Sequence, residues 1–216
     1  MSAPSHPDAL LAPHGLEVLA TVAPAPGDTL PPGTRGLALV GPAGPAFWDI
    51  FRAAPEAADG RPDPLDRWSR RVLDGVAARV GGTALYPFGG PPWHPFIAWA
   101  LRSGQVFASP VTLLVHPRHG LFVSFRGALA LPEPLPAAPA ANPCETCRGK
   151  PCRTACPPGA LTPGGYDIPA CHAHLDRPQG ADCLSGCLVR RACPVGRRQP
   201  PEQSAFHMAA FHRSPR

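Results

Sequence analysis

Residues 144–157 read CETCRGKPCRTACP, and four thiols in so short a run dictate what the last third of the chain is built around. The spacing is Cys144-x2-Cys147-x4-Cys152-x3-Cys156, closed by Pro157. Only short loops separate these sulfurs, whereas zinc sites usually join two knuckles through a longer loop. Closely spaced thiolates ending in Cys-Pro suit a cube of iron and sulfide, which takes three ligands from one run and a fourth from elsewhere. Four more cysteines follow as Cys171-x11-Cys183-x3-Cys187-x5-Cys193, closed by Pro194. The stretch Met1 to Leu19 has no basic segment leading into an apolar run, so the disulfides of a secreted protein are not expected and metal-held thiolates are.

Charge supports the same expectation. Residues 1–143 carry ten Arg against ten acids, while 144–216 carry ten basic residues against five acids, which accounts for the net charge of +5. An oxidised all-thiolate 4Fe-4S unit contributes about -2, so two would nearly cancel that surplus. Arg148, Lys150, Arg153, Arg190, Arg191, Arg197 and Arg198 therefore read as local compensation of cluster charge. A nucleic-acid partner is not expected, because base-stacking aromatics here reduce to Tyr166, Phe206 and Phe211. No segment approaches the ~20 apolar residues that span a bilayer. A soluble, cytoplasmic protein without a membrane partner is the expectation. Pro (33) and Gly (22) make a quarter of the 216 residues, but a hydrophobic fraction of 44% against 16% charge is ample for a folded core.

Upstream of the cysteines the pattern is α+β. Leu37 to Val40 is a buried strand by its continuous apolar character. Pro45 opens a helix through Trp48, Ile50 and Phe51. The firmest helix runs over 64–80, with Asp63 as N-cap, Pro64 at the first position and Gly81-Gly82 as the stop. Leu65, Trp68, Val72, Leu73, Val76 and Val80 form its core stripe. Another helix fits Pro95 to Ser103. Val111 to Val115 and Leu121 to Leu131 read as strands of a hairpin joined by residues 116–120. The segment 132–143 is proline-rich and reads as a stiff extended spacer. The expected division is thus a domain over 1–131, with about 1–30 flexible, a linker over 132–143, and a cysteine domain over 144–216. A helix over 201–213 closes the latter, with His207 and His212 on its surface.

Two sets each ending in Cys-Pro resemble two-cluster ferredoxins, in which the last cysteine of each set serves the other cluster. That likeness implies one 4Fe-4S cluster on Cys144, Cys147, Cys152 and Cys193, and a second on Cys171, Cys183, Cys187 and Cys156. Both spacings are looser than the bacterial ferredoxin pattern, so one cluster with spare thiols, or zinc, stay open as alternatives. The Cys-Pro-x-Gly-Ala-Leu stretch at Cys156 to Leu161, Tyr166-Asp167 ahead of Cys171, and the final Cys-Pro further resemble the two-cluster domain of epoxyqueuosine reductase. Upstream, Asp63 to Asp66, Val115 to Gly120, and Phe125 to Leu129 with Leu131-Pro132 resemble the nitroreductase-like, CblC-type cobalamin-processing fold. The resemblance implies an N-terminal nitroreductase-like domain followed by a small ferredoxin-like iron-sulfur domain. It implies cobalamin, or FMN, as the acceptor, with His94, His116, Arg118 and Arg126 as its contacts. As sequence alone, His116-Pro117 and His119-Gly120 are equally good turn residues, and His94-Pro95 a good helix start.

The reductase carries an acid ahead of the helix that precedes the hairpin, and the corresponding residues 86–95 contain neither Asp nor Glu. The expected activity is thus cobalamin-reductase-like electron transfer without epoxide reduction, drawing on a redox partner protein. A simple ferredoxin-type carrier and a zinc-stabilised interaction module are the alternatives.

Overall fold

Leu37, Ala38, Leu39 and Val40 are wholly buried, because their strand lies inside a four-stranded antiparallel sheet. The structure, a computed structural model, describes residues 7–196 and 199–213, and it is a mixed α+β protein. The chain divides into two compact units, residues 1–105 with 124–140, and residues 106–123 with 141–216.

The first unit begins with α1 (Pro7–Leu11), β1 (Leu16–Val22) and β2 (Gly36–Pro42), followed by α2 (Ala46–Arg52), α3 (Pro55–Ala58), α4 (Pro64–Arg79), β3 (Thr83–Leu85) and α5 (Phe96–Arg102). The chain then enters the second unit as β4 (Phe107–Ala108) and β5 (Leu114–Val115), and returns as β6 (Gly127–Leu131). The sheet order is β1-β2-β6-β3, with every neighbouring pair antiparallel. Helix α4 buries Trp68, Val72, Leu73 and Val76 against β3 and β6. A Cβ at Gly127 would stand 2.4 Å from Leu73 Cδ1 and 2.9 Å from Leu85 O, so glycine lets the helix approach the sheet. Phe47 and Phe51 of α2 meet the Trp68 ring edge-on at 5.4 and 6.0 Å, in the offset geometry that aromatic quadrupoles favour.

Four expectations are corrected here. Residues 7–30 are not flexible: Leu11 and Ala20 are fully buried, and Asp8 Oδ1 accepts the Val18 N–H at 2.8 Å. Residues 1–6 lie outside the described residues. Asp63 precedes α4 but does not cap it through its side chain; its backbone is left-handed (φ 50°), and its carbonyl accepts from Asp66 and Arg67 N–H instead. The stretch 121–131 is not one hairpin strand. The tight turn exists, with His116 and Gly120 exchanging backbone hydrogen bonds of 3.1 and 2.8 Å, but β5 pairs with β4 while β6 pairs with β2 and β3. The apolar residues of 121–125 serve two cores: Leu121 packs among Val111, Val115, Leu161 and Val189, and Phe125 against Phe96. Finally, the chain does pass from the first unit to the second within 132–143, between residues 140 and 141, but it also crosses at 105/106 and 123/124, and most of the expected spacer belongs to the first unit. Residues 132–140 are held to the first unit by Thr21 Oγ1, which donates to Pro136 O at 2.8 Å, and by the Ala140 N–H, which donates to Gly104 O.

The second unit has little regular structure. After β4 and β5 it contains α6 (Pro143–Thr146), β7 (Leu161–Thr162), β8 (Gly165–Tyr166), α7 (Ile168–Leu175), α8 (Ala181–Leu184), α9 (Leu188–Arg191) and α10 (Pro201–Arg213). Except for α7 and α10, its helices are single turns, so its form depends on what joins them.

Candidate functional site

All eight cysteines are free thiols, and they line two depressions of the second unit. Cys144, Cys147, Cys152 and Cys193 line the first. Cys144 stands in α6, where Asn142 Oδ1 accepts its N–H at 3.0 Å and fixes the start of the turn. Cys152 sits in a 3-10 turn over Pro151–Arg153, and Cys193 ends the backbone that leaves α9. Cys193 is held where it is by the 116–120 turn. A Cβ at Gly120, whose φ is +55°, would lie 1.9 Å from Val195 O and 3.1 Å from Cys193 Sγ. Only glycine allows that turn to press so close to the Cys-Pro segment.

Cys156, Cys171, Cys183 and Cys187 line the second depression. Cys171 lies within α7, whose N-terminus Asp167 caps by accepting the Ala170 N–H at 2.9 Å. Cys183 is in α8, and Cys187 immediately precedes α9. Cys193 of the second sequence run thus stands with three cysteines of the first, and Cys156 of the first stands with three of the second.

Burial pushes the thiols of Cys144 and Cys152 up, and the sulfurs of Cys193 and Cys147 beside them add to the shift. Burial likewise raises Cys171 and Cys183, with Cys187 and Cys156 contributing. Desolvated thiols crowded by other sulfurs become thiolates more readily around a positive centre. Among the described residues, no group of three or more His, Cys, Asp or Glu side chains is arranged to hold a single metal ion. A one-ion site brings four sulfurs to about 2.3 Å from one point, whereas a cluster spreads its four thiolates over the corners of a larger body. Each depression is lined by four cysteines, the number of thiolates that one such cluster takes.

The polar surroundings of the two sets differ. At the second, the Tyr166 hydroxyl donates to Cys171 Sγ at 3.3 Å, and burial followed by that bond raises the phenol well above its ordinary value. Arg190 also lines this depression; its guanidinium donates to Leu121 O at 2.8 Å. Burial lowers Arg190, with Cys187 and Tyr166 opposing the change. His174 lines it too, and its Nε2 is buried without a hydrogen-bond partner. His172 is fully buried against Phe211 at 4.6 Å, with neither ring nitrogen bonded. Around the first set, Lys150 lines the depression beside Pro110, Val115, Leu121 and Val195, and the exposed Arg153 stands near Cys152.

The four residues expected to touch a cofactor divide between the units. His94 is half-buried in the first, its ring 5.7 Å from Trp99. Arg126, also in the first, donates to Asp66 and, at 3.0 Å, to Ser69 Oγ, with its guanidinium 5.5 Å from the Phe88 ring. Burial pulls Arg126 below its ordinary value, and the Asp66 carboxylate offsets part of that. His116 and Arg118 belong to the second unit; His116 is buried, its Nδ1 accepts the Arg118 N–H at 3.1 Å, and its ring lies 5.0 Å from His119. Arg118 itself is exposed. Of the arginines expected to balance cluster charge, Arg197 and Arg198 lie outside the described residues.

No protein-family model matches the chain, and no curated protein matches it in sequence.

Sequence reading did not single out three polar neighbours of the second set, although Arg190 stood among the residues expected to balance cluster charge. Nothing in the sequence separates Arg190 from Arg191, because a four-residue helix is too short to show a buried face. Tyr166 was legible only as part of the Tyr-Asp dipeptide, and His174 carried no signal.

Proposed function

We propose that the second unit seats two 4Fe-4S clusters and relays single electrons between a donor protein and an acceptor. Bound there, such clusters supply one-electron exchange with little change of shape. The chain's own residues do the rest. Cys144, Cys147, Cys152 and Cys193 would hold one cluster, and Cys156, Cys171, Cys183 and Cys187 the other. Pro157 and Pro194 end the two ligand runs, Asn142 and Asp167 fix the turns that present Cys144 and Cys171, and Gly120 keeps Cys193 in register. The basic residues of 144–216 offset the charge that eight thiolates bring. The acceptor that the resemblance implies is a cobalamin, or a flavin, carried by the first unit.

The observation that carries this reading is the interleaved grouping of eight free cysteines into two fours. Protein purified without oxygen should be brown and contain about eight irons and eight acid-labile sulfides per chain. A colourless protein with about two zinc ions and no sulfide overturns the reading in favour of a zinc-held module. Hydroxocobalamin should then change its visible spectrum when added to the dithionite-reduced protein faster than with dithionite alone. No acceleration with cobalamin, and none with FMN, leaves a ferredoxin-type carrier.

A further inference from the structure

The two sulfur sets are not equivalent: both have cations beside them, but only Arg190, at the second, is deeply buried among the sulfurs. Arg190 lines the second depression, donates one hydrogen bond to Leu121 O, and pairs with no carboxylate among the described residues. A buried guanidinium without a carboxylate partner is costly, and the groups beside it are the Cys187 sulfur and the Tyr166 hydroxyl. Tyr166 points its hydroxyl at Cys171 Sγ, and the unpartnered His174 Nε2 lines the same cavity. The first depression is walled mainly by proline, valine and leucine side chains, with Lys150 at its margin and the exposed Arg153 near Cys152, where water screens its charge.

We infer that the site of Cys156, Cys171, Cys183 and Cys187 accepts an electron more readily than the site of Cys144, Cys147, Cys152 and Cys193, with Arg190 as the principal cause and Tyr166 as a lesser one. The inference rests on the two-cluster reading. Reduction adds one negative charge to a cluster. A nearby fixed cation and hydrogen bonds to sulfur favour the reduced form, while an apolar wall does not. Arg190 is a positioning and charge-setting residue rather than a catalytic one, since it need not exchange a proton or an electron. The two sites then form a downhill pair, in which an electron arriving at the first set moves to the second.

The test is an anaerobic redox titration of the whole protein followed by electron paramagnetic resonance. Dithionite, itself oxidised to sulfite, supplies one electron per cluster. The unaltered protein should reduce in two separate waves. Arg190→Gln, with its iron and sulfide retained, should move the higher wave down by at least about tenfold in the reduction equilibrium and leave the lower wave in place. Arg190→Lys should restore most of that shift by returning the charge. If Arg190→Gln loses iron, Tyr166→Phe is read instead, with a smaller lowering of the same wave. An iron-replete Arg190→Gln whose waves stay where they were, or whose lower wave moves, overturns the inference and leaves the two-cluster reading standing. An unaltered protein without iron and sulfide overturns both.

Discussion

In the first unit the fully buried side chains are Trp68, Trp99, Phe47, Phe51 and the leucines of the sheet, while in the second Cys152 and Cys183 share the buried set with Val111, Val115, Leu121, Leu161, Leu175, Val189 and Met208. The first unit has a sheet whose middle strands are covered on both faces, so apolar burial and backbone pairing suffice to define it. The second has two-stranded ribbons and mostly single-turn helices, none stable alone in water. Units of this kind are usually completed by something other than an apolar core. The contrast teaches that one chain can pair a self-sufficient fold with one whose folding free energy comes from what its thiolates bind.

Stripping the metal breaks the comparison most strongly. After oxidation and chelation, amide hydrogens of 141–196 should exchange at nearly unfolded rates, while the sheet of the first unit stays protected. Tryptophan emission separates the two outcomes, because Trp48, Trp68, Trp93 and Trp99 all belong to the first unit. An unchanged exchange pattern in the second unit would show that sulfur ligation contributes nothing to its stability.

A smaller effect is expected from Gly120→Ala. The added methyl has no room beside Val195 O and Cys193 Sγ, and φ of +55° is strained for alanine, which together cost roughly 1–3 kcal/mol in the second unit. Iron should fall by about half as the first set loses its fourth ligand. Metal analysis decides it, and a variant holding its full iron would refute the clamp.

The finest test concerns Asp28 in the first unit. Burial pushes this carboxyl up, but hydrogen bonds from the Ala25 N–H (2.8 Å), Trp99 Nε1 (2.9 Å) and Arg102 (2.5 Å) more than offset that and hold it below 3.8. A lowered carboxylate stabilises the fold above its ordinary value, and that stability is lost as pH falls through the folded value. Asp28→Asn should cost about 1–3 kcal/mol at pH 7, with the gap to the unaltered protein closing below pH 3.8. Urea titrations followed by tryptophan emission measure it. A gap independent of pH would mean that the charge is not what matters.

Much of the first unit was legible because its elements carry strong local signals. The stripe from Trp68 to Val76 and the apolar run Leu37 to Val40 each specify one element without outside help. The grouping of the eight sulfurs, with Cys193 and Cys156 exchanged between runs, came from the ferredoxin likeness, since the Cys-Pro endings mark only where each run stops. What failed was the assignment of short apolar residues to a partner. Leu121 and Phe125 look like one alternating strand, yet they pack in different cores, and alternation does not say which core a side chain enters. The early residues read as flexible because Pro7, Pro13 and Gly15 mask α1 and β1, which are held by tertiary contacts such as Asp8 with Val18. Arg190 became distinguishable only once α9 had a buried side.

Both units are built from discontinuous pieces, and this sets an order of manufacture. On the ribosome, β6 must emerge after the 106–123 excursion before the sheet can close, and by then Val111, Val115 and Leu121 have been made without the partners that will cover them. Those partners extend to residue 196, 73 residues later, which at about 5–20 residues per second leaves that apolar segment waiting for roughly 4–15 seconds. Expression in a host short of cluster-assembly capacity would lengthen that wait indefinitely and turn the excursion into the seed of insoluble material.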